Sequence, residues 1–217
     1  MNFGESLVYW YLRLNGFIPM VNYVLHEPDI RTGQNADTDI LAVRFPHVYE
    51  DVGGHSKDWD KERFDKWDLG FREKIVCVVC EVKTGKYKKS TVNQAFGKKR
   101  MEYVISRLGV IPHRNVPEVV AKLLETPIRK LTQEGLVLAK LLIDVPELRP
   151  TENEEQKLEL TPCLRMSLKE ACDFIQNRMT NYKEQKIVSR MFFPGDLIQY
   201  LAWSAGVPLY LDESDVS

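Results

Sequence analysis

The run Leu136-Val-Leu-Ala-Lys-Leu-Leu-Ile-Asp144 constrains the fold of this chain more than any other segment. It is almost purely apolar and lacks the polar alternation of a half-solvated strand, so it reads as a strand covered on both faces. Such a strand needs packing layers above and below it, which points to an α/β domain. A second β-like run, Ile75-Val-Cys-Val-Val-Cys-Glu-Val-Lys83, ends in two charged residues. Residues two apart in a strand share a face, so Glu81 and Lys83 project together while Val82 turns back into the core.

A third run, Ala36-Asp-Thr-Asp-Ile-Leu-Ala-Val-Arg-Phe45, sets Asp39 at the mouth of a strand. Carboxylates are costly in such places unless they hold something. If this strand lies beside the Glu81 strand, two carboxylates and a lysine converge, which is a hard-cation site next to a proton-transfer group. Asp37 competes, since it lies on the same strand face as Asp39. Its position before the apolar run suits a loop, so Asp39 is preferred.

The rest of the chain supplies the layers. Leu7, Tyr11 and Leu14 fall at helical spacing within Gly4 to Leu14, and Asn15-Gly16 is a natural stop. Phe17 to Leu25 reads as a strand with Pro19 near its entry, followed by a turn-rich stretch to Ala36. Residues 46–73 break the rhythm and read as an insertion. Within it a short helix would line up Trp59, Arg63 and Trp67, either over the site, against a partner, or in an Ω-like loop packed by its own aromatics. Thr91 to Leu108 reads as one helix on which Gln94 and Lys98 share a face, and Pro117 to Leu124 as a shorter one.

Beyond a polar connector at 146–156, Leu158 to Met166 reads as a last strand. Ser167-Leu-Lys-Glu170 is a capping box opening a helix toward Tyr182, and Pro194 to Trp203 a final helix. The division is therefore a core over 1–145 carrying the 46–73 insertion, and a strand and helical extension over 146–217 packed on the same domain.

Composition narrows the function classes. The 217 residues are 44% hydrophobic and 28% charged, ordinary values for a folded domain. No apolar run reaches the ~18 residues of a membrane helix, and Met1 to Phe17 lacks the pattern of a signal peptide, so the expected location is cytoplasmic, without a membrane partner. Cys77 and Cys80 have C-x-x-C spacing, but on a strand they face opposite sides, and no second Cys or His pair completes a zinc site. They read as reduced, packed thiols. His26, His47, His55 and His113 show no ligand spacing, and neither a Gly-rich phosphate loop nor G-x-S-x-G occurs.

The net charge of −1 is silent about polyanions, but its distribution is not. From Lys83 to Arg100 there are seven cations and no acid. Lys86, Lys88, Lys89, Lys98, Lys99 and Arg100 thus form a candidate nucleic-acid-binding face beginning at the carboxylate site.

Asp39-Ile-Leu-Ala42 and Cys80-Glu-Val-Lys83, preceded by Gly4-Glu5 at the head of an amphipathic helix ending in Asn15-Gly-Phe17, resemble the PD-(D/E)XK nuclease superfamily. Within it the pattern is similar to Holliday-junction resolvase-like members. The likeness runs from Gly4 to about Asp144. Thr38 stands where the motif-opening proline would be, and the insertion between the motif strands is long.

The resemblance implies a restriction-endonuclease-like α/β core of order αβββαβ, with a central mixed sheet flanked by helices. It implies Mg²⁺, with Mn²⁺ as substitute, held by Asp39 and Glu81 with the Val82 carbonyl as a further ligand. Glu5 would bind the ion through water or hold a second one. Lys83 would position or deprotonate the attacking water, and Gln94 and Lys98 stand where a residue contacting the active site or the phosphate would be. The implied activity is hydrolysis of DNA phosphodiesters, with RNA ranked below DNA and a homodimer as one route to cutting two strands. The competing reading is a catalytically silent nucleic-acid-binding or assembly subunit that keeps the fold.

Overall fold

Antiparallel pairing of the first two strands leads the chain into its central sheet. The computed structural model describes residues 2–25, 36–150 and 158–182, so the expected Pro194–Trp203 helix lies outside the described residues. Strand β1 (Ile18–Leu25) pairs with β2 (Ala36–Arg44), and β2 pairs antiparallel with β3 (Ile75–Lys83). β3 runs parallel to β5 (Leu136–Asp144) over all nine residues of each. Along its other side β5 is shared by two short strands. β4 (Ile128–Leu131) pairs antiparallel with its first half and β6 (Leu164–Ser167) parallel with its second. The result is a mixed, open, six-stranded sheet.

Every residue of β5 is buried, as its composition required, because both faces of the sheet are covered. On one face α1 (Phe3–Leu14) and α6 (Leu168–Asn181) pack Leu7, Tyr11, Ala171 and Ile175 against Ile40, Val78, Cys80 and Val82. On the other, α3 (Lys89–Ala95), α4 (Lys98–Leu108) and α5 (Val116–Glu125) pack Val92, Met101, Val104 and Val120 against Leu41, Cys77, Val79 and Leu138. Cys77 and Cys80 thus belong to opposite core layers. Burial pushes the Cys77 thiol up to about 12. Among the described residues, no helix is long and apolar enough to cross a membrane.

Ser167 caps α6 through the expected box: Oγ accepts from Glu170 N at 3.1 Å, and Glu170 Oε2 accepts from Ser167 N at 2.7 Å. Within the described residues of the C-terminal segment, α6 belongs to the same buried layer as α1.

The insertion forms a lobe with α2 (Lys61–Lys66) at its centre. Phe64, Leu69 and Phe71 are buried with α1 and α6, while Tyr11 Oη donates to Asp60 at 2.7 Å. Arg44, fully buried at the end of β2, ties the lobe to the sheet, as does an exposed contact between Asp68 and Lys130 of β4. Arg44 donates to the carbonyls of Asn15, Phe45 and Phe71, and its guanidinium lies 4.3 Å from the Trp59 ring centroid. Arg44 is opposite Val76, the far end of β3 from Glu81. At ~3.3 Å per residue the lobe's anchor is roughly 17 Å along the strand from the carboxylate site. The insertion's aromatics pack on one another, with Phe71 edge-on to both Trp59 and Phe64, and its Arg44 anchor is remote from the site.

Two expected elements differ. The single helix over 91–108 is two, broken at Phe96 and Gly97, where extended Gly97 (ψ 151°) ends one and begins the other. The strand expected over 158–166 pairs only from Leu164, because Asn93 captures the preceding segment. It donates to Glu159 O and accepts from Thr161 N, each at 2.8 Å.

Candidate active site

Strand register builds the site. Ile40 pairs with Cys80 across β2 and β3, and the same antiparallel register carried one step further sets Asp39 opposite Glu81. Leu41 and Val79, two residues in from this pair, contribute to the α3–α4–α5 layer, so strand alternation puts Asp39 and Glu81 on that face. β2 includes Asp37 as well, so that residue is in a strand and not in the expected loop. Asp39 has a specific tie: Oδ2 accepts the backbone N–H of Val82 at 2.8 Å. One oxygen is thereby fixed to the Glu81–Val82 peptide, and Oδ1 is left for another partner.

Glu81 is 5% exposed. Burial first, and then the neighbouring Asp39, push its carboxyl above the usual range, while Lys83 and Arg100 pull it back. Lys83 Nζ donates to Glu81 Oε1 at 2.6 Å, as two side chains on one strand face can. Arg100 Nη2 is 3.8 Å from Oε2. Arg100 was expected as one member of a basic surface run, but its side chain is 18% exposed and directed to the buried acid. It sits in the first turn of α4 with Lys98 and Lys99 and no acid. Cations there oppose the helix dipole, at ~0.3–1 kcal/mol each, so this helix start gathers positive potential beside the carboxylates.

The other expected site residues lie on neighbouring elements. Glu5 completes a capping box at the head of α1, its carboxylate accepting from Asn2 N at 3.1 Å and from Asn2 Nδ2. α1 packs on the Val82 face of the sheet, opposite that of Asp39 and Glu81. It comes very close to the end of β3: a Cβ on Gly4 would lie 2.1 Å from Thr84 Cγ2, so only glycine allows this approach. Gln94 is exposed on α3, and the helix break removes its shared face with Lys98. Lys86, Lys88, Lys98 and Lys99 are exposed, and Lys89 is half-buried.

Among the described residues, no three His, Cys, Asp or Glu side chains are grouped to hold a metal ion. The pair Asp39 and Glu81 still fits a small hard cation by its chemistry. Mg²⁺ is usually bound through one or two carboxylates with water completing its shell. Burial first, and then the Asp39 charge, raise the Glu81 carboxyl, and a divalent ion would relieve the repulsion between the two acids.

Sequence reasoning missed a second polar cluster alongside. Asp144, fully buried at the end of β5, accepts from Tyr87 Oη at 2.6 Å, Arg149 Nε at 2.9 Å and Nη2 at 2.7 Å, and Arg165 Nη2 at 3.0 Å. Asp144 pairs in register with Lys83. The available signal was an acid closing an otherwise apolar buried run, which requires partners.

Searches against protein-family models, curated proteins and solved structures each returned no match.

Proposed function

We propose that the chain is a divalent-metal-dependent nuclease hydrolysing DNA phosphodiesters, on a restriction-endonuclease-like core. The observation that carries the reading is the convergence of Asp39 and Glu81 across β2 and β3, with Lys83 Nζ 2.6 Å from Glu81. The order α1, β1, β2, β3, helices and β5 contains the αβββαβ succession that the resemblance implies, with α2 and β4 added to it.

Mg²⁺ or Mn²⁺ held by Asp39 and Glu81, with the Val82 carbonyl as a further oxygen donor, would supply Lewis acidity at the phosphate. The protein's own groups do the rest. The Val82 N–H fixes the Asp39 carboxylate in one orientation. Lys83, steadied by Glu81, orients the attacking water and offsets negative charge building on the phosphate oxygens. Arg100 adds a second cation on the same side as the basic first turn of α4.

The test is cleavage of linear, circular and branched DNA with Mg²⁺ or Mn²⁺. Loss of cleavage in Asp39→Ala and Lys83→Ala is expected, and wild-type rates in either would sink the mechanism. One observation favours a catalytically silent nucleic-acid-binding subunit instead: Lys83 and Arg100 already offset the charge on Glu81 without a metal. A thermal unfolding curve indifferent to millimolar Mg²⁺ and Mn²⁺ would select that reading.

A further inference from the structure

The cluster around Asp144 lies on the same sheet face as the candidate active site. Glu81 is in register with Leu142, and Leu142 with Arg165, so Asp39, Glu81, Leu142 and Arg165 form one transverse row. Lys83 and Asp144 form the start of the next row. With strands ~4.8 Å apart, the backbone at Arg165 is roughly 10 Å from that at Glu81.

Asp144 accepts four hydrogen bonds, three at Oδ2 and one at Oδ1. Two guanidinium groups share this single buried anion, and the other acid acting on Arg149, Glu147, is exposed, so the buried part of the cluster holds more positive than negative charge. Arg149 alone would satisfy a buried aspartate bidentately, and the second arginine is in excess of that need. Both remain in contact with solvent, with side-chain exposures of 37% for Arg149 and 39% for Arg165. Tyr87 ties the two regions together: it donates to Asp144 and accepts from Arg165 Nη2 at 3.1 Å. It also belongs to the loop bearing Lys86 and Lys88, and so holds that basic loop beside the arginines. Arginines held in place before a ligand arrives lose little side-chain freedom on binding it.

We propose that Arg149 and Arg165, fixed by Asp144 and Tyr87, form a phosphate subsite for the nucleic-acid backbone next to the phosphate acted on at Asp39 and Glu81. The proposal rests on the nuclease reading for which phosphate is cut. Its substrate consequence is distinct: the ligand carries several phosphates. A separation of ~10 Å corresponds to roughly one to three nucleotides, given ~3.4 Å of axial rise per nucleotide in a duplex strand and a longer reach in an extended one.

The experiment uses the full chain in EDTA, which prevents cleavage, and a fluorescein-labelled single-stranded DNA 12-mer read by anisotropy across a salt series. Arg165→Gln leaves Asp144 with Arg149 and Tyr87 and is the primary variant; Arg149→Gln is the second, and both are checked by thermal melting. Several-fold weaker binding is expected from each. The slope of log affinity against log salt should fall by about 0.7 for each lost phosphate contact. Wild-type affinity and slope in folded Arg165→Gln, or absence of DNA binding by the wild type, overturns the subsite.

Should both variants unfold, phenylglyoxal modification of the wild type, mapped by mass spectrometry, decides. DNA-dependent protection of Arg149 and Arg165 supports the subsite, and equal modification with and without DNA overturns it. Arg165-dependent binding by a wild type that does not cleave with Mg²⁺ or Mn²⁺ supports the subsite and overturns the catalytic reading. Cleavage with Arg165-independent binding does the reverse.

Discussion

Asp39 Oδ2 accepts the Val82 backbone N–H at 2.8 Å, so a side chain of β2 is fastened to the Glu81–Val82 peptide on β3. This bond separates what Asp39 does for structure from what it does for chemistry. Asp39→Asn keeps an oxygen able to accept the Val82 N–H but removes the charge. Its melting temperature should stay within a few degrees of wild type, while metal-dependent cleavage falls by at least a hundredfold. Asp39→Ala loses the bond too, at about 1 kcal/mol of further stability by urea unfolding. Equal activity in Asp39→Asn and wild type would remove Asp39 from the chemistry.

The capping box of α6 makes an acid-limb prediction. Glu170 loses some solvation, which raises its carboxyl. Hydrogen bonds from Ser167 N and Oγ, and from Arg63 Nη2 at 3.0 Å, outweigh this and bring it down to about 2. An unfolded glutamate titrates near ~4.3. The folded value is the lower one, so the contribution is complete above pH ~4.3 and disappears as pH falls toward 2. Glu170 is half exposed, so screening reduces the contribution to about 1 kcal/mol. Glu170→Gln should therefore melt lower than wild type at pH 6, with the gap closing near pH 2. A gap independent of pH would contradict this account.

Lys140 makes an alkaline-limb prediction, from a penalty and not a gain. It is fully buried within β5, its Nζ only 3.4 Å from Leu124 O, and burial pulls its ammonium from 10.5 down to about 8. Below pH 8 both states carry the charge and the folded one bears its desolvation, about 3 kcal/mol at 1.36 per pH unit. Between pH 8 and 10.5 the folded lysine is neutral and the unfolded one still charged, so its penalty fades as pH rises. Lys140→Met should raise stability most below pH 8, with the advantage over wild type shrinking through pH 10. Chemical denaturation at pH 7, 9 and 10 checks both the sign and the trend.

Strand parity made the chemistry of this chain legible. Burial on both faces of β5, the shared face of Glu81 and Lys83, and the opposed faces of Cys77 and Cys80 all follow from a period of two, and all hold in the structure. The role of Arg100 was hidden because its partner is on another element, and a cation in a basic run looks like its neighbours until tertiary packing turns it inward. The Asp144 cluster joins residues 57, 5 and 21 positions away, beyond any local pattern. Gly97 lies between two stretches of good helix spacing, so periodicity alone ran through the break. β4 alternates Ile128 and Lys130 with Arg129 and Leu131, too short and too charged to stand out.

Arg44 offers a test of whether the insertion and the site are independent. Its guanidinium, buried between Trp59 and Phe71, donates to three backbone carbonyls, and desolvation pulls it down to about 10. Lysine cannot reproduce that planar fork or its stacking, so Arg44→Lys is not conservative here. It should cost about 2–4 kcal/mol, because backbone acceptors left without donors keep their desolvation penalty. The damage should be local first. Trp59 and Trp67 fluorescence should shift toward the solvent-exposed value, and proteolysis should begin within 46–73. Because the anchor is opposite Val76 and the carboxylates are near Glu81, Mg²⁺-dependent cleavage per folded molecule should remain close to wild type. Cleavage lost while the core stays folded would mean that the insertion acts on the site through the sheet.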